Sequence, residues 1–334
     1  MMGDRIESDS AMRSSVPSVS VIIPTYARPI YLRDALSSIM QQDLSQTEYE
    51  VIVVDNKPTG EVERIIASLE ESGPIRYLPE TETGLHHARH AGARVARGEI
   101  LVYVDDDVLM PEEWLYWMTR HFADPQVGCV GGKVVGAWEV DPPAWFDQFD
   151  EGHLSLLDLG DEPMELCLPT CVWGCNMAVR RTALFQVGGF NPDAFGDRRD
   201  IWMRGDGECG LQYRLYHAGY RVIYEPRAWL YHRISASRLA PQQLYRRLFD
   251  QGISDSYARV REIQHLPLMR LRLLKHSAHC FTTACRHYAR TLGRAGDWVR
   301  ARADAHYWYA MGQHQLRAAL DKSLREHVLR ESYL

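Results

Sequence analysis

The sequence lacks an apolar run long enough to cross a bilayer. A spanning helix needs about 20 consecutive, mainly apolar residues, and the apolar stretches here have the length of strands. Residues 1–18 contain no apolar signal core either, so we expect a polar, disordered tail over residues 1–17 and no secretory signal. Both absences favour a cytoplasmic protein over an integral membrane protein.

An excess of positive charge is also missing. The formal net charge is −6, and an acidic balance gives no global attraction to nucleic acid. We therefore expect no nucleic-acid partner. The cysteine count is seven, an odd number without paired CxxC spacing. In the absence of a secretory signal, this pattern favours reduced thiols over a disulfide framework.

Apolar runs and helical spacing alternate along residues 18–110. The runs predict strands at 18–26, 51–54, 76–78 and 100–104, and the 3.6-residue spacing predicts helices at 30–42, 61–72 and 84–97. This alternation indicates an α/β fold with a doubly wound, mostly parallel central sheet. Ligands of such sheets bind at the carboxyl ends of the strands.

The strongest chemical pattern is the acidic triplet Asp105–Asp107, which directly follows the predicted strand 100–104. Three carboxylates at the end of a buried strand repel one another unless a cation lies among them. Oxygen ligands of this type suit Mg²⁺ or Mn²⁺. Taken alone, a triplet of this kind is more often a solvated acidic turn, and its strand context and companion motifs favour the metal site.

The pattern changes along the rest of the chain. Residues 111–238 are rich in aromatics, glycine and proline, and the helical, arginine-rich pattern begins near Pro241. We divide the chain into a tail (1–17), a catalytic domain (18–238) and a helical C-terminal region (239–334). Within the catalytic domain we expect a donor-binding half at 18–110 and an acceptor half at 111–238.

Five motifs occur in order between residues 18 and 235: SVIIPTYARPIYLRDALSSI, VIVVDN, TGLHHARHAGARVARGEILVYVDDDV, WGCNMAVRRTALFQVGGFN and GDGECGLQYRLYHAGYRVIYEPRAWLYH. Together they resemble family 2 inverting glycosyltransferases with the GT-A fold. The resemblance implies an enzyme that transfers a sugar from a nucleotide-diphosphate donor, most simply a UDP-sugar, to an acceptor hydroxyl. It also implies Mn²⁺ or Mg²⁺ as cofactor and a role in polysaccharide or glycoconjugate biosynthesis.

The resemblance also implies roles for individual residues. Glu208 takes the place of the general base, and Asp107 and His232 take the places of metal ligands. The residues expected to bind the nucleotide sugar are Pro24, Thr25, Tyr26, Asp55, Arg89, Asp105, Asp106, Trp173 and Asn176.

Two departures from the family pattern keep alternatives open. His90 follows Arg89 where the family commonly has asparagine, and Asp206-Gly207-Glu208 replaces the usual Glu-Asp pair. Asp206 is therefore a second candidate for the base. The departures also leave room for a non-catalytic protein that binds sugar nucleotides. A nucleotidyltransferase is a weaker alternative, because it would need a glycine-rich, basic loop after the first strand.

The expected partners are the nucleotide sugar and a glycan or lipid-linked saccharide acceptor. Residues 266–294 mix apolar residues with arginine, lysine and histidine. This composition is typical of an amphipathic helix on an anionic membrane, which would place the protein at the inner face of the membrane. A helix packed on the catalytic domain or on a second subunit would have the same composition, and of the two interpretations we favour this one.

Overall fold

The computed structural model describes residues 18–45, 48–69, 73–194, 198–292 and 298–334. The predicted tail over residues 1–17 and the last turn of the helix predicted at 61–72 lie outside these ranges.

The strands are β1 (Val19–Thr25), β2 (Tyr49–Asp55), β3 (Ile75–Pro79), β4 (Ile100–Val104), β5 (Val108–Leu109), β6 (Val127–Trp138), β7 (Met164–Glu165), β8 (Asn176–Arg180) and β9 (Arg221–Ile234). The helices are α1 (Pro29–Ile39), α2 (Glu61–Ala67), α3 (Leu85–Val95), α4 (Trp114–Thr119), α5 (Arg181–Gln186), α6 (Gly207–His217), α7 (Pro241–Glu262), α8 (Met269–Arg290), α9 (Trp298–Leu320) and α10 (Lys322–Val328). The predicted α/β architecture is confirmed.

The strands of the described residues form one sheet in the order β3-β2-β1-β4-β8-β6-β9-β5, with β7 paired to β9. The first four strands of this order are mutually parallel. Their register aligns Thr25 of β1 with Asp55 of β2. Since β1 and β4 are parallel neighbours, the polar residues that follow them emerge at one edge of the sheet.

Three strands in the second half of the sheet, β5, β7 and β8, were not predicted from the sequence. Strand β8 is antiparallel to both β4 and β6, and β5 and β7 are two-residue strands antiparallel to β9. Strand β5 begins directly after the acidic triplet and pairs Val108 with His232. This pairing brings a residue distant in sequence beside Asp107.

The two faces of the sheet are covered by helices on opposite sides. In β1, Val21 and Ile23 belong to the core cluster that contains Leu32 and Leu36 of α1. Ile22 points to the other cluster, with Ala88 of α3. Successive strand residues alternate between faces, so this division defines a three-layer arrangement.

The C-terminal helices are not separate from the sheet. Leu244 and Leu248 of α7 belong to the same core cluster as β1, and α7 and α8 both pack along α9. Pro241 is the first residue of α7, where the missing N–H of proline removes no hydrogen bond of the helix. The described helices include none that is both long and apolar enough to span a bilayer. All seven cysteines are free thiols, as predicted.

Candidate functional site

A cleft of about 730 Å³ opens at the carboxyl ends of β1 and β4. Asp105, Asp106 and Asp107 line it on the β4 side, and Pro24, Thr25 and Tyr26, which follow or end β1, line it on the neighbouring side. Trp173 and Glu208 line it as well. The sequence-predicted residues of four separate motifs therefore meet in one cavity.

Tyr26 is an exposed residue on the β1 side of the cleft. Its side chain is 41 % exposed, and the Lys57 ammonium lies 5.2 Å from the centre of its ring. An accessible aromatic face next to a cation suits the stacking of a planar base.

Asp107 lies at the centre of a cationic network. Its Oδ2 accepts hydrogen bonds from Arg28 at 2.7 Å and from Arg238 at 2.9 Å. Its Oδ1 is buried, lies 3.3 Å from Nε2 of His232 and has no hydrogen-bond partner. Burial alone would raise the pKa of Asp107, but the neighbouring His232, Arg238 and Arg28 lower it below its ordinary value.

The tautomer of His232 follows from its contacts. Arg238 Nη1 lies 3.0 Å from Nε2, and a guanidinium can only donate. Nε2 must therefore accept, which leaves the proton on Nδ1, where it is donated to the Leu154 carbonyl at 2.9 Å. The Nε2 lone pair thus faces the same region as the unpartnered Oδ1 of Asp107.

These donors fit a divalent cation. Ligand atoms of Asp105, Asp107 and His232 all lie within 4.8 Å of one another. Two carboxylates and a neutral imidazole are ligands that Mn²⁺ and Mg²⁺ accept. A cation bound here would satisfy Oδ1 of Asp107 and would replace Arg238 at Nε2 of His232. The same residues without a cation concentrate negative charge in a buried place.

The pKa values of the two other carboxylates of the triplet are shifted in the opposite direction to the pKa of Asp107. Burial, followed by the charge of Asp107, raises the pKa of Asp105. Burial raises the pKa of Asp106 to about 6, although Arg28 opposes this shift. Asp106 Oδ2 accepts a 2.6 Å hydrogen bond from Thr25, so Asp106 connects the triplet to the loop after β1.

The structure distinguishes the two candidate bases by position. Glu208 lines the cleft in the first turn of α6, and its side chain is 18 % exposed. Asp206 does not line the cleft, and its Oδ1 accepts a 2.5 Å hydrogen bond from Asn191. Burial raises the pKa of Asp206. Of the two, only the Glu208 carboxylate can reach a ligand in the cavity.

Arg89 holds Glu208 in place. Its guanidinium is 2 % exposed and lies 3.3 Å from Glu208 Oε2, and it packs over the Phe190 ring at 5.0 Å. Burial alone would lower the pKa of Arg89, but Glu208, Asp105 and Asp193 raise it. A Cβ at Gly174 would lie 2.2 Å from Nη2 of Arg89, so this close approach requires glycine.

Two predicted donor-binding residues lie outside the cleft. Asp55 is fully buried at the end of β2, where it accepts from Tyr77 at 3.2 Å and from the Lys57 amide at 3.1 Å. Asn176 is also fully buried. It accepts from Trp114 at 2.9 Å and donates to the carbonyls of Lys133 and Ala228. The side-chain amide of Asn176 therefore donates its hydrogens to protein carbonyls.

Sequence reasoning did not identify several arginines of the cleft, among them Arg28, Arg238 and Arg247. Arg28 could have been found, because it lies in the loop that follows β1. Arg238 and Arg247 carried no comparable signal, since both belong to the C-terminal region that was expected to be an appendage.

A family model described as glycosyl transferase family 2 matches residues 20–188. The chain belongs to glycosyl transferase family 2. The match covers the strands that end in Thr25 and Asp55 and the acidic triplet that follows β4, and it ends before the helix that carries Glu208.

Two curated relatives of this family 2 chain cover most of its length. A glucosyl-dolichyl phosphate glucuronosyltransferase of Haloferax volcanii is 28 % identical over 244 residues, which cover 71 % of this chain and 75 % of the relative. A validoxylamine A glucosyltransferase of Streptomyces hygroscopicus subsp. limoneus is 26 % identical over 241 residues, covering 65 % of this chain. The chain spans about half, 51 %, of the length of that second relative.

Among solved structures, the family 2 chain resembles the mannosyltransferase PcManGT of Pyrobaculum calidifontis in complex with GDP-Man and Mn²⁺. The TM-score is 0.56 at 22 % identity, and the likeness covers 92 % of this chain and 87 % of that one. At this identity the comparison establishes the shared GT-A fold, including its extension into the C-terminal helices.

Proposed function

We propose that this chain is an inverting, metal-dependent glycosyltransferase. It moves a sugar from a nucleotide-diphosphate donor to a hydroxyl of a glycan or lipid-linked saccharide, in the biosynthesis of a polysaccharide or glycoconjugate. The observation that carries the proposal is that two members of the Asp105, Asp107 and His232 cluster, the two aspartates, line the same cleft as the Glu208 carboxylate. A metal that stabilises the leaving diphosphate and a separate carboxylate base are together sufficient for inverting transfer.

Glu208 acts as the general base. An acceptor hydroxyl is a poor nucleophile, and a carboxylate within hydrogen-bond reach removes its proton as the new bond forms. The Arg89 guanidinium at 3.3 Å and the Gly174 amide, 3.4 Å from Oε1, orient this carboxylate. Attack from the side opposite the leaving diphosphate inverts the anomeric carbon and needs no covalent nucleophile on the protein.

The diphosphate of the donor binds at the Asp107 end of the cleft. Asp105, Asp107 and His232 would hold a divalent cation, and such a cation would supply Lewis-acid stabilisation of the charge on the leaving diphosphate. Arg28 and Arg238, which pair with Asp107 in this structure, supply donors for the same phosphate oxygens. Tyr26 and Pro24 border the nucleotide base, and Trp173 borders the donor sugar.

Two nucleotide bases are candidates for the donor. The family resemblance favours UDP, whereas the solved PcManGT complex contains GDP-Man. A UDP-sugar therefore remains our first candidate, and a GDP-sugar is the second. In this arrangement Asp55, which is buried and held by Tyr77, contacts the base only if its carboxylate turns toward the cleft.

A donor panel tests the proposal. Hydrolysis and binding of UDP- and GDP-sugars should be measured with Mn²⁺, with Mg²⁺ and with a chelator, for the wild-type chain and for Asp107→Ala. We expect metal-dependent hydrolysis of one donor that Asp107→Ala removes. Binding without hydrolysis or transfer would favour the non-catalytic alternative. Release of diphosphate from a nucleoside triphosphate and a sugar phosphate would favour the nucleotidyltransferase.

We also propose peripheral contact with an anionic membrane through the start of α8. No aspartate or glutamate occurs between Glu262 and Asp297 in a chain whose net charge is −6. Leu266, Leu268 and Leu271 are 44 %, 72 % and 59 % exposed. They lie beside the arginine and lysine residues of the same segment. Exposed leucines next to arginine and lysine suit the interface of an anionic bilayer, and contact with a membrane is compatible with a lipid-linked acceptor.

A further inference from the structure

Six arginines line the cleft, and five of them are paired with a carboxylate. The five pairs are Arg28 and Arg238 with Asp107, Arg89 with Glu208, Arg204 with Asp193 and Arg233 with Asp34. The sixth, Arg247, forms no hydrogen bond or ion pair with any part of the chain that the structure describes, and its Nε is buried without a partner.

The position of Arg247 separates it from the proposed metal site. It lies in α7, and the carboxylates whose charges act most strongly on it are those of Asp193, Glu208 and Asp250. The Asp107 end of the cleft already contains Arg28 and Arg238 for the donor diphosphate. Arg247 therefore belongs to the end of the cleft where Glu208 would meet the acceptor.

Arg247 is half-buried, and its Nε is fully buried without a partner. Burial and then the nearby positive charge of Arg204 lower the pKa of Arg247, and the carboxylates of Asp193, Glu208 and Asp250 compensate only part of this effect. Such a charge is unfavourable in the folded protein unless a ligand supplies the counter-ion. The planar fork of arginine matches phosphate and carboxylate oxygens.

His153 is a second polar side chain of the cavity on which the charge of Arg247 acts. It also lines the cavity, and burial, followed by the charge of Arg247, lowers its pKa. A neutral imidazole offers one N–H donor without adding a repelling charge. Arg247 and His153 come from different elements, so their meeting is a product of the fold.

We propose that Arg247 binds an anionic group, phosphate or carboxylate, on the acceptor substrate. The group lies at the same end of the cleft as the hydroxyl that Glu208 deprotonates, because both side chains line the cleft and the charge of Glu208 acts on Arg247. This inference rests on the proposed transferase function. It adds that the acceptor is a sugar phosphate, a phosphodiester-linked saccharide or an acidic sugar, as opposed to a neutral glycan.

The test measures binding of small acceptor probes after the donor end has been filled. The protein is first saturated with Mn²⁺ and with UDP or GDP, whichever binds, and is then titrated with glucose 6-phosphate, glucuronate or neutral glucose. The variants are Arg247→Gln, the charge-preserving Arg247→Lys, and Arg246→Gln as control, because Arg246 is the exposed neighbour on the same helix. Thermal melting shows that each variant is folded.

We expect the wild-type chain to prefer an anionic probe over glucose, since charge-assisted hydrogen bonds contribute about 10- to 100-fold in affinity. Arg247→Gln should lose that preference, Arg247→Lys should keep part of it, and Arg246→Gln should behave as the wild type. Glucose 6-phosphate and glucuronate distinguish a phosphate from a carboxylate as the preferred group. Nucleoside diphosphate binding should stay unchanged in all three variants.

Two results would overturn the inference. One is equal affinity of the wild-type chain for glucose and for both anionic probes. The other is an equal loss of nucleoside diphosphate binding in Arg247→Gln, which would assign Arg247 to the donor. Failure of the transferase proposal is recognised separately, because it would abolish donor binding and hydrolysis in the wild-type chain, while the anionic probes can still be titrated without nucleotide.

Discussion

Asp107 Oδ1 lies 3.3 Å from Nε2 of His232, and both atoms act as hydrogen-bond acceptors toward the space between them. Two acceptors at this distance repel each other, and in this structure the Arg238 guanidinium, which bonds Nε2 of His232 and Oδ2 of Asp107, is the positive charge that bridges the two side chains. Strand pairing imposes the contact, because Val108, the residue after Asp107, lies opposite His232 in the β5–β9 ladder. The arrangement therefore gives a direct prediction about cation binding.

Mn²⁺ should stabilise the folded chain through this pair. At a concentration about 100 times the dissociation constant, a ligand that binds only the folded state adds about 2.7 kcal/mol. Melting temperature should rise with Mn²⁺ in the wild-type chain and stay constant in Asp107→Asn. Asp141→Asn, at an exposed position, should respond as the wild type does. An unchanged Mn²⁺ response in Asp107→Asn would place the cation elsewhere.

Glu208→Gln should reduce turnover by about 10²- to 10⁴-fold, the range typical of a lost general base. Donor affinity should change little, since the amide preserves the size of the side chain. Asp206→Asn is the matched comparison and should retain most of its turnover, because Asp206 does not line the cleft. The measurement is kcat for transfer and the dissociation constant of the donor. A larger loss in Asp206→Asn would reverse the assignment of the base.

Asn176→Ala should weaken the fold more than it weakens donor binding. The substitution removes the hydrogen bonds of Asn176 to the Trp114 indole and to the carbonyls of Lys133 and Ala228. Unsatisfied buried groups cost about 1–3 kcal/mol each, so we expect a loss of roughly 3 kcal/mol in the free energy of unfolding. Gln126→Ala at an exposed site serves as control. Unchanged stability together with lost donor affinity would instead support a contact between Asn176 and the donor sugar.

His314 should make stability depend on pH. It is fully buried in α9, and burial lowers its pKa to about 4. The unfolded chain protonates this histidine near pH 6.5, so between about pH 6.5 and 4 the unfolded state binds more protons and stability falls as the pH falls. One such group contributes up to about 1.4 kcal/mol per pH unit. Above pH 7 its contribution should be constant.

The comparison that isolates this effect is His314→Asn, whose amide can still meet Ser256, 2.7 Å from Nδ1 in the wild type. Denaturant unfolding at a series of pH values should show a smaller pH slope in the variant between pH 4 and 6.5. Parallel curves for the two proteins would mean that His314 does not titrate differently in the folded and unfolded states.

Vesicles test the proposed membrane contact. The chain should bind phosphatidylglycerol vesicles more strongly than phosphatidylcholine vesicles, and salt should weaken the binding because it screens the charges. A Leu268→Glu, Leu271→Glu double variant should lose binding, whereas Leu320→Glu, which changes a 62 % exposed leucine of α9, should not. Equal sedimentation with both lipids, or none with either, would contradict the proposal.

The sequence by itself determined the α/β fold, the strand ends and the acidic triplet. Apolar strand runs and amphipathic helices are local patterns, and their register in a parallel sheet brings the predicted ends of β1 and β4 together. It also identified Asp107, His232 and Glu208 through motif resemblance. The short strands β5, β7 and β8 were missed because their pairing partners, and not their composition, make them strands.

Only the tertiary structure decided which of the predicted residues meet in the cleft. Asp206 and Glu208 are two positions apart, yet the geometry at the start of α6 turns one toward Asn191 and the other toward the cavity. Asn176 and Asp55 carry the right chemistry but are held by partners distant in sequence. No local sequence pattern identifies Arg247. Its charge can be recognised as unpaired only when the positions of the neighbouring charged residues are known.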